Sequence, residues 1–493
     1  MELDFNCYQA LRARDARFDG RFFVGVKTTG IYCRPVCPAR TPRASSCVFV
    51  STAAAAERAG FRPCLRCRPE LAPANAQPTA LEPALFAAIR ARVAHGDSVD
   101  ELAARTGFSA RQLRRLTLRA FGVTPVEIIQ TERLLFAKKL LQETALPMME
   151  VALSAGFGSL RRFNAVFLAR YRMPPTALRR QAPARRHPPQ ADGLTLRLAY
   201  RPPLAWRELL VYLAKRAVPG VEAVSGETGS YARTVHLGET TGWVSVRQPP
   251  GETFLEVQAP AALADVIWSV LGRLRALLDL DANPLCIDEV LRADPLLAPS
   301  VRRHPGLRVP GAWDPFELAV RAVLGQQISV AGASTLAARL AVRFGTPVVT
   351  PHTALHRLAP TAETLAAADP ADIAALGMPR AKAQTLRDLA AAAVRGQLVF
   401  RPAEGVGEVV VSLRRIRGIG EWTTQYIAMR ALRFPDAFPA GDLGLRKALA
   451  PPGGQPVPES ELLARSQPWR PWRAYAALHL WQTLHDASSL TLK

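Results

Sequence analysis

Four cysteines, Cys33, Cys37, Cys64 and Cys67, sit in two arginine-rich stretches, TTGIYCRPVCPARTP (28–42) and FRPCLRCRPE (61–70). Their spacing, Cys-x3-Cys-x26-Cys-x2-Cys, suits one tetrahedral zinc ion, which accepts four thiolates at about 2.3 Å each. Spacing leaves two readings open. One is a closed structural site, the commoner use of four cysteines. In the other, one thiolate is also a nucleophile, because a metal keeps a bound thiol deprotonated at neutral pH. A second candidate is Asp442, in PAGDLGL (439–445). Ahead of an apolar helical pattern Asp is a preferred N-cap, and its carboxylate could also stabilise developing positive charge or activate water. Upstream, Gly418-Ile419-Gly420 predicts a tight turn where backbone N–H groups and a helix N-terminus can approach a phosphate. Trp422 and Tyr426, four apart on the helix that follows, share a face. Such aromatics either fill a core or grip a flat cationic ring by stacking.

Several elements must hold these groups, since 493 residues exceed what one core organises. Two Pro/Ala-rich stretches, 71–83 and 179–193, read as linkers. The block before the first is short and loop-rich, so a metal would supply what its core lacks. The middle block repeats: LAARTGFSARQLRRLTLRAFGVTP (102–125) recurs as VALSAGFGSLRRFNAVFLARYRMPP (151–175). Each copy reads helix, Gly-containing turn, basic helix, the pattern of a helix-turn-helix whose second helix offers its N-terminal residues to the major groove. Those residues are Ser109, Arg111 and Gln112, and Ser159, Arg161 and Arg162. The third block opens with alternating LTLRLAY and TFLEVQA, predicting a small antiparallel sheet, and becomes helical from DPFELAVRAVLGQQIS onward. The expected fold class is multidomain, predominantly α with α+β parts.

Charge narrows the partners. The net charge is +22, and residues 1–190 carry 30 Lys and Arg against 14 Asp and Glu. That field favours a phosphate backbone. A long uncharged apolar run and a basic-then-apolar leader are both missing, so the expectation is a soluble, intracellular protein in which grouped cysteines bind metal. A membrane partner is not expected, and with no heptad pattern a monomer is.

FFVGVKTTGIYCRPVCPAR and GFRPCLRCRPEL closely resemble the N-terminal domain of the Ada family of adaptive-response proteins. The resemblance implies that Cys33 is both a zinc ligand and a sacrificial nucleophile taking a methyl group from a DNA methylphosphotriester, with Cys37, Cys64 and Cys67 as the other ligands. Four thiolates around Zn²⁺ leave two net negative charges. Methylating Cys33 would leave one, easing repulsion of phosphate beside Arg34, Arg40, Arg43, Arg62, Arg66 and Arg68 and making repair a DNA-affinity switch. The repeat resembles the AraC-type DNA-binding domain. No Pro-Cys-His-Arg motif follows, so reversal of guanine-O6 methylation is not expected.

LRRIRGIGEWTTQYIAMRALRFPDAFPAGDLGLRKAL (413–449) resembles the helix-hairpin-helix of base-excision glycosylases, and residues 194–486 are most similar to the AlkA-like DNA-3-methyladenine glycosylase II family. That likeness implies Asp442 as the catalytic carboxylate and Trp422, Tyr426 and Trp481 as the pocket for a flipped base. It implies phosphate contacts at Gly418 and Gly420 and a monovalent cation held by hairpin carbonyls. Gln327 lies where the family plugs the gap left by the base, and Arg417, replacing a common Pro, adds a phosphate contact. Trp422 stands where bifunctional relatives carry a Schiff-base lysine, so a monofunctional enzyme is implied. The expected domains are 1–75 (zinc), 84–180 (helix-turn-helix), 193–300 (α+β part of the glycosylase) and 301–490 (hairpin core). Expected partners are damaged and promoter DNA, with RNA polymerase, in a bacterial cytoplasm on the nucleoid. The rival is a regulator with a purely structural zinc or a non-catalytic glycosylase-like domain.

Overall fold

The computed structural model describes residues 2–73, 85–86, 88–90, 99–106, 108–181, 193–398, 400, 406–451 and 453–490. Most of both expected linkers, and Gly107 of the repeat, lie outside them. Two compact units emerge, one formed by residues 1–201 with 248–272, the other by 202–247 with 273–493. No described helix is long and apolar enough to cross a membrane.

In the first unit, helix α1 (Glu2–Ala13) precedes a four-stranded sheet of order β3-β1-β2-β4. Its strands are β1 (Phe23–Val26), β2 (Ile31–Cys33), β3 (Cys47–Val50) and β4 (Arg62–Pro63), and helix α2 (Ala53–Arg58) joins β3 to β4. β2 and β4 run parallel, pairing Ile31 with Arg62 and Tyr32 with Pro63. That register delivers Cys33 and Cys64 together at the ends of neighbouring strands.

The repeat supplies α3 (Val99–Thr106), α4 (Ala110–Phe121), α5 (Pro125–Glu143), α6 (Met148–Ser154), α7 (Leu160–Tyr171) and α8 (Pro175–Arg180). The two copies share one burial pattern: Leu113 and Thr117 in α4, and Phe163 and Phe167 in α7, face inward, while Arg111, Arg114, Arg115 and Arg119, and Arg161 and Arg162, face out. α5 opens on a Thr124/Glu127 capping box with Pro125 in its first turn, which satisfies orphan N–H groups and pre-sets φ. It is buried nearly all round, because α2, the turn Pro69–Leu71 and α8 pack against it. This burial includes Lys138 and Lys139. Lys138 Nζ donates to Glu70 (2.6 Å) and to the Cys64 carbonyl (3.1 Å), and Lys139 pairs with Glu143 (2.7 Å). Arg68 bridges Glu70 and Glu143. Strand β5 (Gly193–Ala199) pairs antiparallel with Phe254–Pro260, as the alternation in LTLRLAY and TFLEVQA predicts.

The second unit starts with α9 (Trp206–Ala214) and the antiparallel strands β6 (Glu222–Ser225), β7 (Ser230–Leu237) and β8 (Thr240–Arg247). Its helical core includes α10 (Pro315–Leu324), α11 (Val330–Phe344), α12 (Arg380–Val394), α13 (Val406–Arg414) and α14 (Glu421–Arg430), followed by α15 (Leu443–Ala448) and α16 (Arg473–Leu490). α10 is the apolar centre, with Leu318, Ala319, Val323 and Leu324 buried against α12 and α14.

Candidate functional site

The ligand atoms of Cys33, Cys37, Cys64 and Cys67 all lie within 4.8 Å of one another. Cys37 follows a turn closed by its N–H on the Arg34 carbonyl, and the Cys64 N–H donates to the Tyr32 carbonyl. Left to themselves the four thiols cannot all ionise. Hydrogen bonds with Cys37 and Cys64 push Cys33 up, and those with Cys33, Cys37 and Cys64 push Cys67 up. Cys33 in turn brings Cys37 down to about 7 and holds Cys64 well below the thiol range. A divalent cation among them resolves that competition, so the donor set fits zinc. The residues differ in exposure: Cys37, Cys64 and Cys67 are each 6% exposed, whereas Cys33 is half-buried.

Two of the arginines expected to face DNA are turned inward. Arg34 forms a double hydrogen bond with Asp19, donates to the Cys67 carbonyl (3.1 Å), and its backbone N–H points at Cys67 Sγ (3.3 Å). It braces the cysteine loop. Arg68 is spent on Glu70 and Glu143. Arg40, Arg43 and Arg66 are exposed, and Arg62 is half-buried. On the recognition helices Arg111, Arg161 and Arg162 are exposed. Ser109 and Ser159 are N-caps. Gln112 is exposed too, but its carbonyl accepts from Ser109 N (2.9 Å) and Oγ (3.0 Å), so only its amide N–H₂ remains to read a base.

In the second unit Asp442 is the N-cap of α15, accepting from Leu445 N at 3.0 Å. Two indoles also reach it, Trp422 Nε1 on Oδ2 and Trp481 Nε1 on Oδ1, both at 3.0 Å. Helices α14, α15 and α16 thus clamp one half-buried carboxylate with three N–H groups, leaving it about one further acceptor position of four. Gly444 permits the approach, since a Cβ there would lie 3.0 Å from Asp442 Oδ1 and 3.3 Å from the Trp481 ring. The Trp422 and Tyr426 rings stack, with centroids 5.2 Å apart and planes 14° from parallel. Two of the three aromatics expected as pocket walls, Trp422 and Trp481, therefore orient the carboxylate, and the third, Tyr426, stacks on Trp422.

The hairpin joins α13 to α14. Gly418 has φ +93°, and a Cβ on it would meet Thr385 Oγ1 at 2.3 Å. Only glycine fits. Gly420 is the N-cap of α14 and, like Gly418 and Arg417, is exposed. Gln326, which sequence reasoning passed over, ties the α10–α11 loop to the hairpin: its Nε2 donates to the Gly418 carbonyl (2.8 Å) and to Thr423 Oγ1 (2.9 Å). Its neighbour Gln327 is exposed, with φ +59°. The only signal for Gln326 was its place beside Gln327 in LGQQIS.

Four family models match successive stretches: the metal binding domain of Ada over 6–70, a helix-turn-helix domain over 102–181, the AlkA N-terminal domain over 195–314, and the HhH-GPD superfamily base excision DNA repair protein over 320–465. These define a DNA-repair protein that joins a zinc module and a DNA-binding repeat to a hairpin glycosylase fold. A Mycobacterium tuberculosis protein named "Probable bifunctional transcriptional activator/DNA repair enzyme AlkA" is 42% identical over 98% of this chain and 97% of its own. The chain belongs to that family of bifunctional transcriptional activator/DNA repair enzymes. DNA-3-methyladenine glycosylase 2 of Escherichia coli is 36% identical over 58% of this chain and 96% of its own. The solved structure of 3-methyladenine DNA-glycosylase from Archaeoglobus fulgidus (23% identity, TM-score 0.50) covers 58% of this chain and 96% of its own, and shares the fold.

Proposed function

We propose that the chain performs two separate reactions on alkylated duplex DNA and couples the first to transcription. In the first, Cys33 Sγ attacks the methyl carbon of a methylphosphotriester. A C–S bond forms, the methyl–oxygen bond breaks with its electron pair left on the phosphate, and Cys33 ends as a thioether. Cys33, Cys37, Cys64 and Cys67 would hold the zinc ion, which when bound supplies the positive charge that keeps the thiols ionised. The half-exposure of Cys33 beside three buried thiols supports it as the sulfur that reacts. The loss of one negative charge strengthens promoter binding through Arg111, Gln112, Arg161 and Arg162, with Arg40 and Arg66 on the phosphates.

In the second reaction, an alkylated base such as 3-methyladenine flips out and stacks against Trp422, Tyr426 and Trp481. Asp442 stabilises the positive charge that builds on the sugar as the glycosidic bond breaks and water takes the base's place. With Trp422 where a Schiff base would need Lys, the product is an abasic site. Gln327 fills the gap in the duplex, and Gly418, Gly420 and Arg417 meet the backbone. The carbonyls of Ile416, Arg417 and Gly418 each already accept one hydrogen bond, leaving a lone pair apiece for a monovalent cation, whereas that of Gly420 accepts two from Thr424. We assign the zinc domain to 1–75, the helix-turn-helix to 84–180 and the glycosylase to 193–300 with 301–490. The protein acts as a cytoplasmic, nucleoid-associated bacterial monomer that contacts RNA polymerase.

The observation that carries the glycosylase reading is the half-buried Asp442 clamped by three N–H groups beside stacked aromatics. Its test is release of 3-methyladenine from alkylated duplex DNA by the wild type and by Asp442→Asn. The expected result is release by the wild type, reduced roughly 10²–10³-fold in the variant. Equal release would leave Asp442 only its helix cap, and no release by either protein would favour the regulator.

A further inference from the structure

Behind the stacked pair lies a second phenol. Tyr212, on α9, brings its hydroxyl to 3.4 Å from that of Tyr426. Arg430 Nη1 donates to the Tyr426 oxygen at 2.8 Å, while its Nε and Nη2 are fixed on the Pro310 and Gly311 carbonyls. The Arg216 guanidinium lies 3.8 Å from the Tyr212 ring centre, and that of Arg430 lies 5.2 Å from Tyr212 and 5.5 Å from Tyr426. Neither arginine forms a salt bridge among the described residues.

The other charges nearby are already engaged. Glu222 of β6 takes Arg321 (2.9 Å) and the Tyr231 hydroxyl (2.6 Å), Glu317 of α10 takes Arg233 of β7 (2.9 Å), and Asp442 lies beyond Trp422. Two unpaired guanidinium groups beneath a pocket meant for a cationic base would repel that base. Something must offset them.

We propose that Tyr212 determines specificity in this pocket: by donating a hydrogen bond from its hydroxyl to the Tyr426 oxygen it lets Tyr426 release its own proton to solvent and face the flipped base as a phenolate, so that cationic purines are preferred over neutral ones. The inference rests on the glycosylase reading above. Burial alone would raise the Tyr426 phenol, but Arg430, then Arg216, and the hydrogen bonds from Tyr212 and Arg430 outweigh it and bring it down to about 7. Burial pushes Tyr212 up, so Tyr212 keeps the proton it shares. The preference therefore grows as pH rises through neutrality and fades as pH falls.

The test uses the full chain and Tyr212→Phe, which keeps the ring and removes the hydroxyl. Ultraviolet difference titration without DNA should show one tyrosinate forming near neutral pH, absent from Tyr426→Phe and moved to higher pH in Tyr212→Phe. With duplexes carrying one 7-methylguanine (cationic) or one hypoxanthine (neutral), the ratio of the two kcat/KM values should drop about twofold at pH 8 in Tyr212→Phe, because raising a pKa of about 7 by about one unit takes the ionised fraction there from roughly nine-tenths to one half. At pH 6 it should change little. A wild type with no tyrosinate below pH 9, or an unchanged ratio in Tyr212→Phe, would overturn the proposal. No base release by the wild type would overturn the glycosylase reading and this role together, whereas release without the titration would overturn the phenol pair alone.

Discussion

Each of the two units presents one half-buried acidic group, and they hold it differently. Cys33 lies 4, 31 and 34 residues from the other three cysteines, and the parallel pairing of β2 with β4, with the turns that follow each strand, brings the thiols together. Behind it the Lys138–Glu70–Arg68–Glu143 pairs seat the cysteine loop on α5. Asp442 is held by donors 20 and 39 residues away, on separate helices. The contrast follows the chemistry proposed for each. A nucleophile spent once needs access and a fixed loop, and nothing must reset it. A carboxylate that turns over must keep its orientation through every cycle, so N–H groups lock it and aromatic walls receive a base beside it.

If that contrast is right, perturbing one unit should leave the other working. Chelating zinc should have the largest effect, because structural zinc contributes about 10–16 kcal/mol in small zinc domains. Circular dichroism melting should lose the zinc domain's transition, while base release persists. Lys138→Met should come next. It removes one of the two cations on the buried Glu70, whose other partner is Arg68, costing about 1.5–3 kcal/mol, the worth of a hydrogen bond between charged groups, and denaturant titration should show that loss in the first unit only. In the second unit Gly418→Ala forces a side chain to φ +93° against Thr385, costing about 1–2 kcal/mol in backbone conformation alone. It should weaken binding to abasic-site DNA without altering promoter binding. Smallest is Arg114→Ala, on the exposed face of α4. The slope of log affinity for promoter DNA against log salt should become shallower by about 0.9, the share of one phosphate contact, with base release unchanged.

Much of this was legible in the sequence where the signal is local or periodic. The helix-turn-helix copies share spacing because they share a burial pattern, and the zinc ligands declare themselves by number and spacing. The N-cap at Asp442 follows from Asp ahead of an apolar pattern. What lies between distant segments was not legible. Nothing local in the sequence marks Lys138 and Lys139 as buried, yet Glu70 in the turn at Pro69–Leu71 takes Lys138, and Glu143 takes Lys139. Arg34 reads as a phosphate contact beside Cys33 until Asp19 captures it. The indole hydrogen bonds to Asp442, and the meeting of Tyr212 with Tyr426, depend on helices far apart in the chain, and no local pattern encodes them.

The central claim, two independent reactions on one chain, is tested most directly in a single incubation with duplex DNA bearing both methylphosphotriesters and 3-methyladenine. Free base and intact protein mass are measured together for the wild type, Cys33→Ala and Asp442→Asn. The account predicts that the wild type releases base and gains the mass of one methyl group. Cys33→Ala should release base without the gain, and Asp442→Asn should gain the methyl while releasing almost no base. Loss of both signals in either folded variant, or a methyl gain that survives in Cys33→Ala, would contradict it.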